Sequence, residues 1–226
     1  MKISGIQKVS LVDYDGHISA TIFTSGCNFK CPFCHNAGLV QENDPNIPTD
    51  EILSYLDKRK KVLDSVCISG GEPTLQHDLV DFIIKIKSMG YLIKLDTNGT
   101  NLNILKTLVE NQLIDYVAMD IKNSLSNYHL TSGIDKTFDI KTTIEYIMNC
   151  GIDYEFRTTL VDGHHFENDI KEIANLIRGC NKYFLQKFED SGNCLKSDLR
   201  PIKKETAVDF QKILKKNNVN TYLRGY

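Results

Sequence analysis

No apolar run in the 226 residues reaches membrane-spanning length, and the first residues lack the apolar core of a signal peptide, so a cytoplasmic chain is expected. Charge of neither sign dominates. With 27 Lys and Arg against 29 Asp and Glu, there is no general electrostatic pull toward nucleic acid or an anionic membrane. Arginine is scarce, five against twenty-two lysines, so an arginine inside a strand pattern stands out. Paired cysteine spacing is also missing beyond one short stretch. Cys67, Cys150, Cys180 and Cys194 stand apart, which argues against a disulfide framework and for a reducing compartment. Cys67, inside an apolar run, reads as a small core residue. No repeat or low-complexity segment is visible, and 41% hydrophobic with 25% charged residues is ordinary for a globular domain of this size.

What is present is concentrated between Thr24 and Asn36, TSGCNFKCPFCHN, directly after the apolar β-branched run from Ile18 to Phe23. Cys27, Cys31 and Cys34 have C-x3-C-x2-C spacing. A short loop leaving a strand can turn three thiolates toward one point, and thiolates are the soft ligands that iron–sulfur clusters select. A four-iron cluster needs four ligands, so one iron would remain open. A zinc site using Cys27, Cys31, Cys34 and His35 is the plainer alternative. Adjacent Cys34 and His35 reach one metal only with strain, and zinc sites usually bring two ligand pairs across a longer loop.

The remainder alternates. Residues 1–17 read as an extended lead-in with a turn at Asp15-Gly16, and Thr49 as the cap of a helix running to Val62. Apolar runs at 18–24, 65–69, 91–96, 115–121, 153–161, 182–188 and 219–223 read as strands. Helical spacing lies between them: Leu79, Phe82, Ile83 and Ile86 before Gly90; Leu102, Leu105 and Val109 after the cap candidate Asn101; then Ile140 to Met148, Ile170 to Ile177 and Ala207 to Leu214. Lys203, Lys204, Lys212, Lys215 and Lys216 read as the solvated face of the last helix. Alternating strands and helices make βα units and a mainly parallel sheet. Seven strands fall short of a closed eight-fold barrel, so an open, partial (β/α)6 TIM-like barrel is expected, as one domain over 1–226.

Functional residues of such folds gather at the carboxyl ends of strands. Those ends hold Ser69-Gly70-Gly71-Glu72-Pro73, Asp96-Thr97-Asn98-Gly99 and Met119-Asp120-Ile121-Lys122, with Arg157 inside the fifth strand and Gln186 and Phe188 in the sixth. Glycines let backbone approach a ligand closely. Alternation puts Asp120 and Lys122 on one face, with an ion pair as the plain alternative to a functional role. A guanidinium suits bidentate carboxylate recognition, and an ion pair of Arg157 with Glu155 is the alternative there. His164-His165 has no thiol or carboxylate arrangement around it and reads as surface.

CNFKCPFCHN followed by SGGEPTLQ resembles the radical S-adenosylmethionine superfamily, and within it the activating enzymes of glycyl radical enzymes, closest to anaerobic ribonucleoside-triphosphate reductase activating proteins. The likeness runs from about Ser10 to about Gln186. It implies a [4Fe-4S] cluster on Cys27, Cys31 and Cys34, S-adenosylmethionine on the open iron, and reductive cleavage of that cofactor. It further implies a partial barrel with a lateral opening and hydrogen abstraction from a glycine of a partner enzyme. A flavodoxin- or ferredoxin-like electron donor is expected too. By the same resemblance Gly70, Gly71, Glu72 and Pro73 meet the methionine amino group, and Asp96 and Asp120 help hold a monovalent cation. Phe33, His35, Thr97, Asn98, Arg157 and Gln186 line the cofactor, and Asp120 with Lys122 forms the D-x-K motif near the reacting centre. Cys34 to Cys67 contains no further cysteine, which favours the compact activases of ribonucleotide reductase or pyruvate formate-lyase. The alternatives are a small-molecule radical enzyme resembling 7-carboxy-7-deazaguanine synthase, in which Asp-Thr would follow the third cysteine instead of His35-Asn36, and a non-catalytic iron–sulfur protein.

Overall fold

The computed structural model describes residues 1–34, 37–41, 46–134, 139–190 and 192–226, with backbone alone at residues 40 and 41. The chain forms β1 (Ile3–Ser10), β2 (Ser19–Thr24), α1 (Ala37–Gln41), α2 (Thr49–Arg59), β3 (Ser65–Gly70), α3 (Leu79–Ser88), β4 (Leu92–Thr97), α4 (Leu102–Glu110) and β5 (Tyr116–Asp120). It continues as α5 (Tyr128–Ser132), α6 (Ile140–Asn149), β6 (Asp153–Leu160), α7 (Glu167–Leu176), β7 (Tyr183–Lys187), α8 (Lys204–Lys216) and β8 (Thr221–Arg224).

The strands make one α/β sheet in chain order, β1 to β8, and it does not close. The β2–β3, β3–β4, β6–β7 and β7–β8 pairs are parallel, as the βα alternation requires. Among the described pairs β1 departs, pairing antiparallel with β2. About half of the segment read as an extended lead-in, Ile3–Ser10, is thus a strand. Its half-exposed side chains lack the apolar run that marks the others. Two helices, α1 and α5, were not expected; five residues carry too few periodic positions to show a stripe. Thr49, expected as a cap, is the first helical residue and follows Pro48.

The chain divides into two compact units. The first comprises Met1–Asn28, Gly38–Thr97 and Asn101–Ala118. Its central strands pair Ala20 with Val66 and Ile22 with Ile68, then Val66 with Ile93 and Ile68 with Leu95, every one fully buried. Continuous apolar runs of this kind belong to strands covered on both faces. In α3 the residues at helical spacing, Leu79, Phe82, Ile83 and Ile86, are the buried ones, while Ile84 is exposed. Cys67 is a buried core residue, as expected.

The second unit comprises Phe29–Ala37, Asn98–Thr100 and Met119–Tyr226. Phe156, Leu160, Tyr183 and Leu185 are buried in β6 and β7, as are Ile170, Ile173 and Ala174 of α7 and Ala207, Phe210 and Leu214 of α8. The predicted lysine face of α8 is exposed. The buried Tyr183 hydroxyl donates to Thr158 Oγ1 at 2.6 Å, and Thr158 donates to the Ile121 carbonyl at 2.6 Å, so both hydroxyls are satisfied. Burial pushes the Cys180 thiol up to about 11, which leaves it an inert core group.

Ile83→Ala should cost about 2–5 kcal/mol in denaturant unfolding, because it removes a fully buried side chain. Ile84→Ala, one position on and exposed, should change stability by no more than about 0.5 kcal/mol.

Candidate active site

In the first unit the carboxyl ends of β2, β3 and β4 are bonded to one another. Gly71 N–H donates to Thr24 O at 2.8 Å and Glu72 N–H to Gly26 O at 2.9 Å. A Cβ at Gly70 would strike the Thr24 backbone, and one at Gly71 the Gly26 carbonyl. The close approach that these glycines permit is therefore to the start of the cysteine loop, beside Cys27. Glu72 is fully buried, and its Oε1 accepts from Thr74 N–H at 3.1 Å, Thr74 Oγ1 at 2.6 Å and Thr97 Oγ1 at 2.8 Å. It also caps the 3₁₀ turn that begins at Pro73. Asp96 is half-buried, accepting from Ser69 Oγ at 2.9 Å with the Lys94 ammonium 3.6 Å away.

The second unit holds the rest of the cysteine loop. Phe29, Cys31 and Phe33 are buried and Cys34 is half-buried. Cys34 N–H donates to Cys31 O at 3.0 Å. Two segments brace this loop. Lys30 N–H donates to Ser132 O at 2.8 Å, and Lys196 N–H donates to Pro32 O at 2.9 Å. Gly133 ends α5 with a φ of +69°, and a Cβ there would run into the Lys30 carbonyl. His35 and Asn36 lie outside the described residues. Asn98 is buried, its Oδ1 accepting from Thr100 N–H at 3.1 Å and Thr100 Oγ1 at 2.8 Å.

The expected pairing of Asp120 with Lys122 on one face is present. Lys122 Nζ donates to Asp120 Oδ2 at 3.0 Å and Arg157 Nε to Asp120 Oδ1 at 2.8 Å. Arg157 also stands 3.9 Å from Glu155, which Arg224 approaches at 3.4 Å. Both plain readings, Asp120–Lys122 and Arg157–Glu155, thus join in one ladder of three cations and two anions. Burial alone would raise the Asp120 carboxyl, but Arg157 and Lys122 outweigh it and hold it well below the usual carboxylate range. Burial would likewise lower the Lys122 ammonium, and the charge of the Asp120 carboxylate it bonds to raises it well above its ordinary value. Gln186 is half-buried on β7, in register with Thr159 of β6 and Arg224 of β8.

His165 corrects the surface reading of His164-His165. It is 3% exposed, its Nδ1 accepts from Val161 N–H at 3.1 Å, and its Nε2 donates to Lys122 O at 2.9 Å. Its ring lies 6.3 Å from that of Phe33. Around it Asn123 Nδ2 donates to His164 O at 2.9 Å, and buried Asp169 accepts from Ser124 Oγ at 2.6 Å and Asn127 Nδ2 at 2.7 Å. Sequence reasoning missed these residues, along with Ser132, Gly133 and Arg224. Only Arg224 carried a signal, since the scarcity that singled out Arg157 applies equally to it.

By donor chemistry Cys27, Cys31 and Cys34 fit an iron–sulfur group: none is in a disulfide, and each offers soft sulfur as its ligating atom. Among the described residues no three His, Cys, Asp or Glu side chains are gathered as a metal site, and Cys27 belongs to the first unit while Cys31 and Cys34 belong to the second.

Gly133→Ala should displace Lys30 and lower the iron retained after anaerobic reconstitution to less than about half that of wild type. Gly151→Ala, at a similar φ of +83° with open space around it, should cost only the left-handed backbone penalty of about 1 kcal/mol and keep its iron. Iron analysis and thermal melts of both variants check this.

Residues 21–177 match the Radical SAM superfamily. A protein named as a candidate glycyl-radical enzyme activating enzyme, from Methanocaldococcus jannaschii, is 38% identical over 193 residues, 83% of this chain and 80% of that relative. A domain of pyruvate-formate lyase-activating enzyme from Bacteroides vulgatus is similar with a TM-score of 0.58 and 18% identity, covering 71% of this chain and 99% of that one. Streptococcus suis SuiB bound to S-adenosylmethionine is similar with a TM-score of 0.67 and 17% identity, over 88% of this chain and 48% of its own. At such identities the two solved structures bear on the fold alone. The sequence matches, by contrast, span most of the chain, which is a radical SAM enzyme and belongs to the Radical SAM superfamily.

Proposed function

We propose that this chain is an activase, generating a glycyl radical on a partner enzyme by reductive cleavage of S-adenosylmethionine. The observation that carries the reading is the 38% identity, across 83% of the chain, to a candidate glycyl-radical enzyme activating enzyme. The finer proposal, that the partner is an anaerobic ribonucleotide reductase, rests on CNFKCPFCHN and on the lack of further cysteines before Cys67. A flavodoxin- or ferredoxin-like electron donor, and a monovalent cation assigned to Asp96 and Asp120, belong to the same reading.

Family membership implies a [4Fe-4S] cluster and S-adenosylmethionine. When bound, the pair supplies a one-electron cleavage of a carbon–sulfur bond. The protein's part is to bind, orient and exclude water. Cys27, Cys31 and Cys34 are assigned as cluster ligands. The Gly70-Gly71-Glu72-Pro73 loop is assigned to the methionine amino group through its backbone, with the Glu72 carboxylate keeping the loop's shape. Arg157 and Lys122 are the cations for a carboxylate, and Phe33, His35, Thr97, Asn98 and Gln186 are assigned to the remaining cofactor surface. Lys122 and Asp120 are further assigned to the partner's glycine loop, whose Cα hydrogen is the one removed.

Two measurements test this. Replacing Cys27, Cys31 or Cys34 by Ala should abolish the cluster by iron counting, whereas Cys67→Ala and Cys150→Ala should retain it. Wild-type protein that held zinc and refused iron would end the assignment. The reduced protein, mixed with S-adenosylmethionine and an anaerobic ribonucleotide reductase, should show a doublet by electron paramagnetic resonance that collapses when the partner's glycine is deuterated at Cα. Turnover of a free small molecule with no radical in the partner would overturn the activase reading, and absence of 5′-deoxyadenosine would leave an electron carrier.

A further inference from the structure

β5 ends at Asp120, so Lys122 lies two residues past the last position that strand assigns to the sheet. What holds the backbone there comes from β6, the loop after it and Tyr128 of α5. Ile121 N–H donates to Arg157 O at 2.8 Å, and Ile121 O accepts from Thr158 Oγ1 at 2.6 Å. At Lys122 itself the N–H donates to the Tyr128 hydroxyl at 3.4 Å, and the carbonyl accepts the shorter bond, from His165 Nε2 at 2.9 Å. The other ring nitrogen accepts from Val161 N–H at 3.1 Å, with the Val161 carbonyl farther off at 3.4 Å, so the shorter bonds select the neutral tautomer protonated at Nε2. Burial lowers the imidazole's affinity for a proton, which favours the same state. Rotation of the Lys122 peptide would swing its ammonium away from Asp120, which it now meets at 3.0 Å.

We propose that His165 is a positioning residue: its Nε2–H bond to the Lys122 carbonyl aims the Lys122 ammonium, and the activation step assigned to Lys122 depends on that bond. The proposal rests on the activase reading for its functional half. The neighbouring bond from Asn123 Nδ2 to His164 O ties the same two loops, but it acts one residue past Lys122 and leaves the Lys122 carbonyl to His165.

Two conservative variants separate the two ring nitrogens. In His165→Gln the side-chain amide reaches the place of Nε2 and can still donate to Lys122 O, while the bond from Val161 N–H is lost. In His165→Asn the amide oxygen takes the place of Nδ1 and keeps the Val161 bond, but nothing reaches Lys122. Both remove ring volume, Asn one methylene more than Gln, so thermal melts of the two variants measure the packing loss separately from the loss of the bond to Lys122. The first readout is acylation of Lys122 by an amine-reactive ester, followed by mass spectrometry on the reconstituted protein. Labelling should rise about tenfold in His165→Asn, the equivalent of about 1.4 kcal/mol, and stay within about twofold of wild type in His165→Gln. The second is glycyl radical yield, which should fall about tenfold in His165→Asn, as in Lys122→Ala, and recover in His165→Gln. Equal labelling in the two variants, or a full radical yield in His165→Asn, overturns the proposal. If wild type itself makes 5′-deoxyadenosine but no partner radical, the activase reading fails, and labelling alone then decides the positioning role.

Discussion

Backbone that leaves the end of a parallel strand loses its ladder partners, and each buried N–H or C=O released there has to find another. That constraint explains most of the geometry around this site. Thr24 and Gly26 find theirs in the amides of Gly71 and Glu72; Lys30 finds Ser132, Pro32 finds Lys196, and Lys122 finds His165. The loops that carry the chemistry-bearing residues are held by bonds of this kind. A substitution that blocks one of these bonds changes the shape of a loop without removing any residue that meets a ligand.

The charges follow a second rule. Asp120, Lys122 and Arg157 are largely withdrawn from water, and burying an isolated charge is far more costly than burying a paired one. Each therefore has a partner, and the chain of pairs extends through Glu155 to Arg224. Removing Asp120 would leave two cations facing each other. The arrangement keeps Lys122 and Arg157 charged and aimed, which is what a site for an anionic group requires. Glu72 plays a different part. Its fully buried carboxylate is occupied with Thr74 and Thr97, so the most conspicuous acid of the GGEP stretch is a brace for two strand ends.

Composition and periodicity determined the architecture by themselves. Alternating β-branched runs and 3.6-residue apolar stripes can bury their faces only as βα units, and the structure has them at those places. The spacing of Cys27, Cys31 and Cys34, with the GGEP stretch after it, pointed to the superfamily that the chain belongs to. Strand alternation was enough to place Asp120 and Lys122 on one face. It said nothing of Arg157 joining them, since that contact spans 37 positions. The antiparallel strand β1, the brace at Ser132 and Gly133 and the buried state of His165 were decided by tertiary structure alone. A lone histidine beside another in a polar loop has the same local signature whether it faces water or a distant carbonyl. What settles it is which backbone groups the completed fold leaves without partners, and that is a property of strand ends brought together from far apart in the chain.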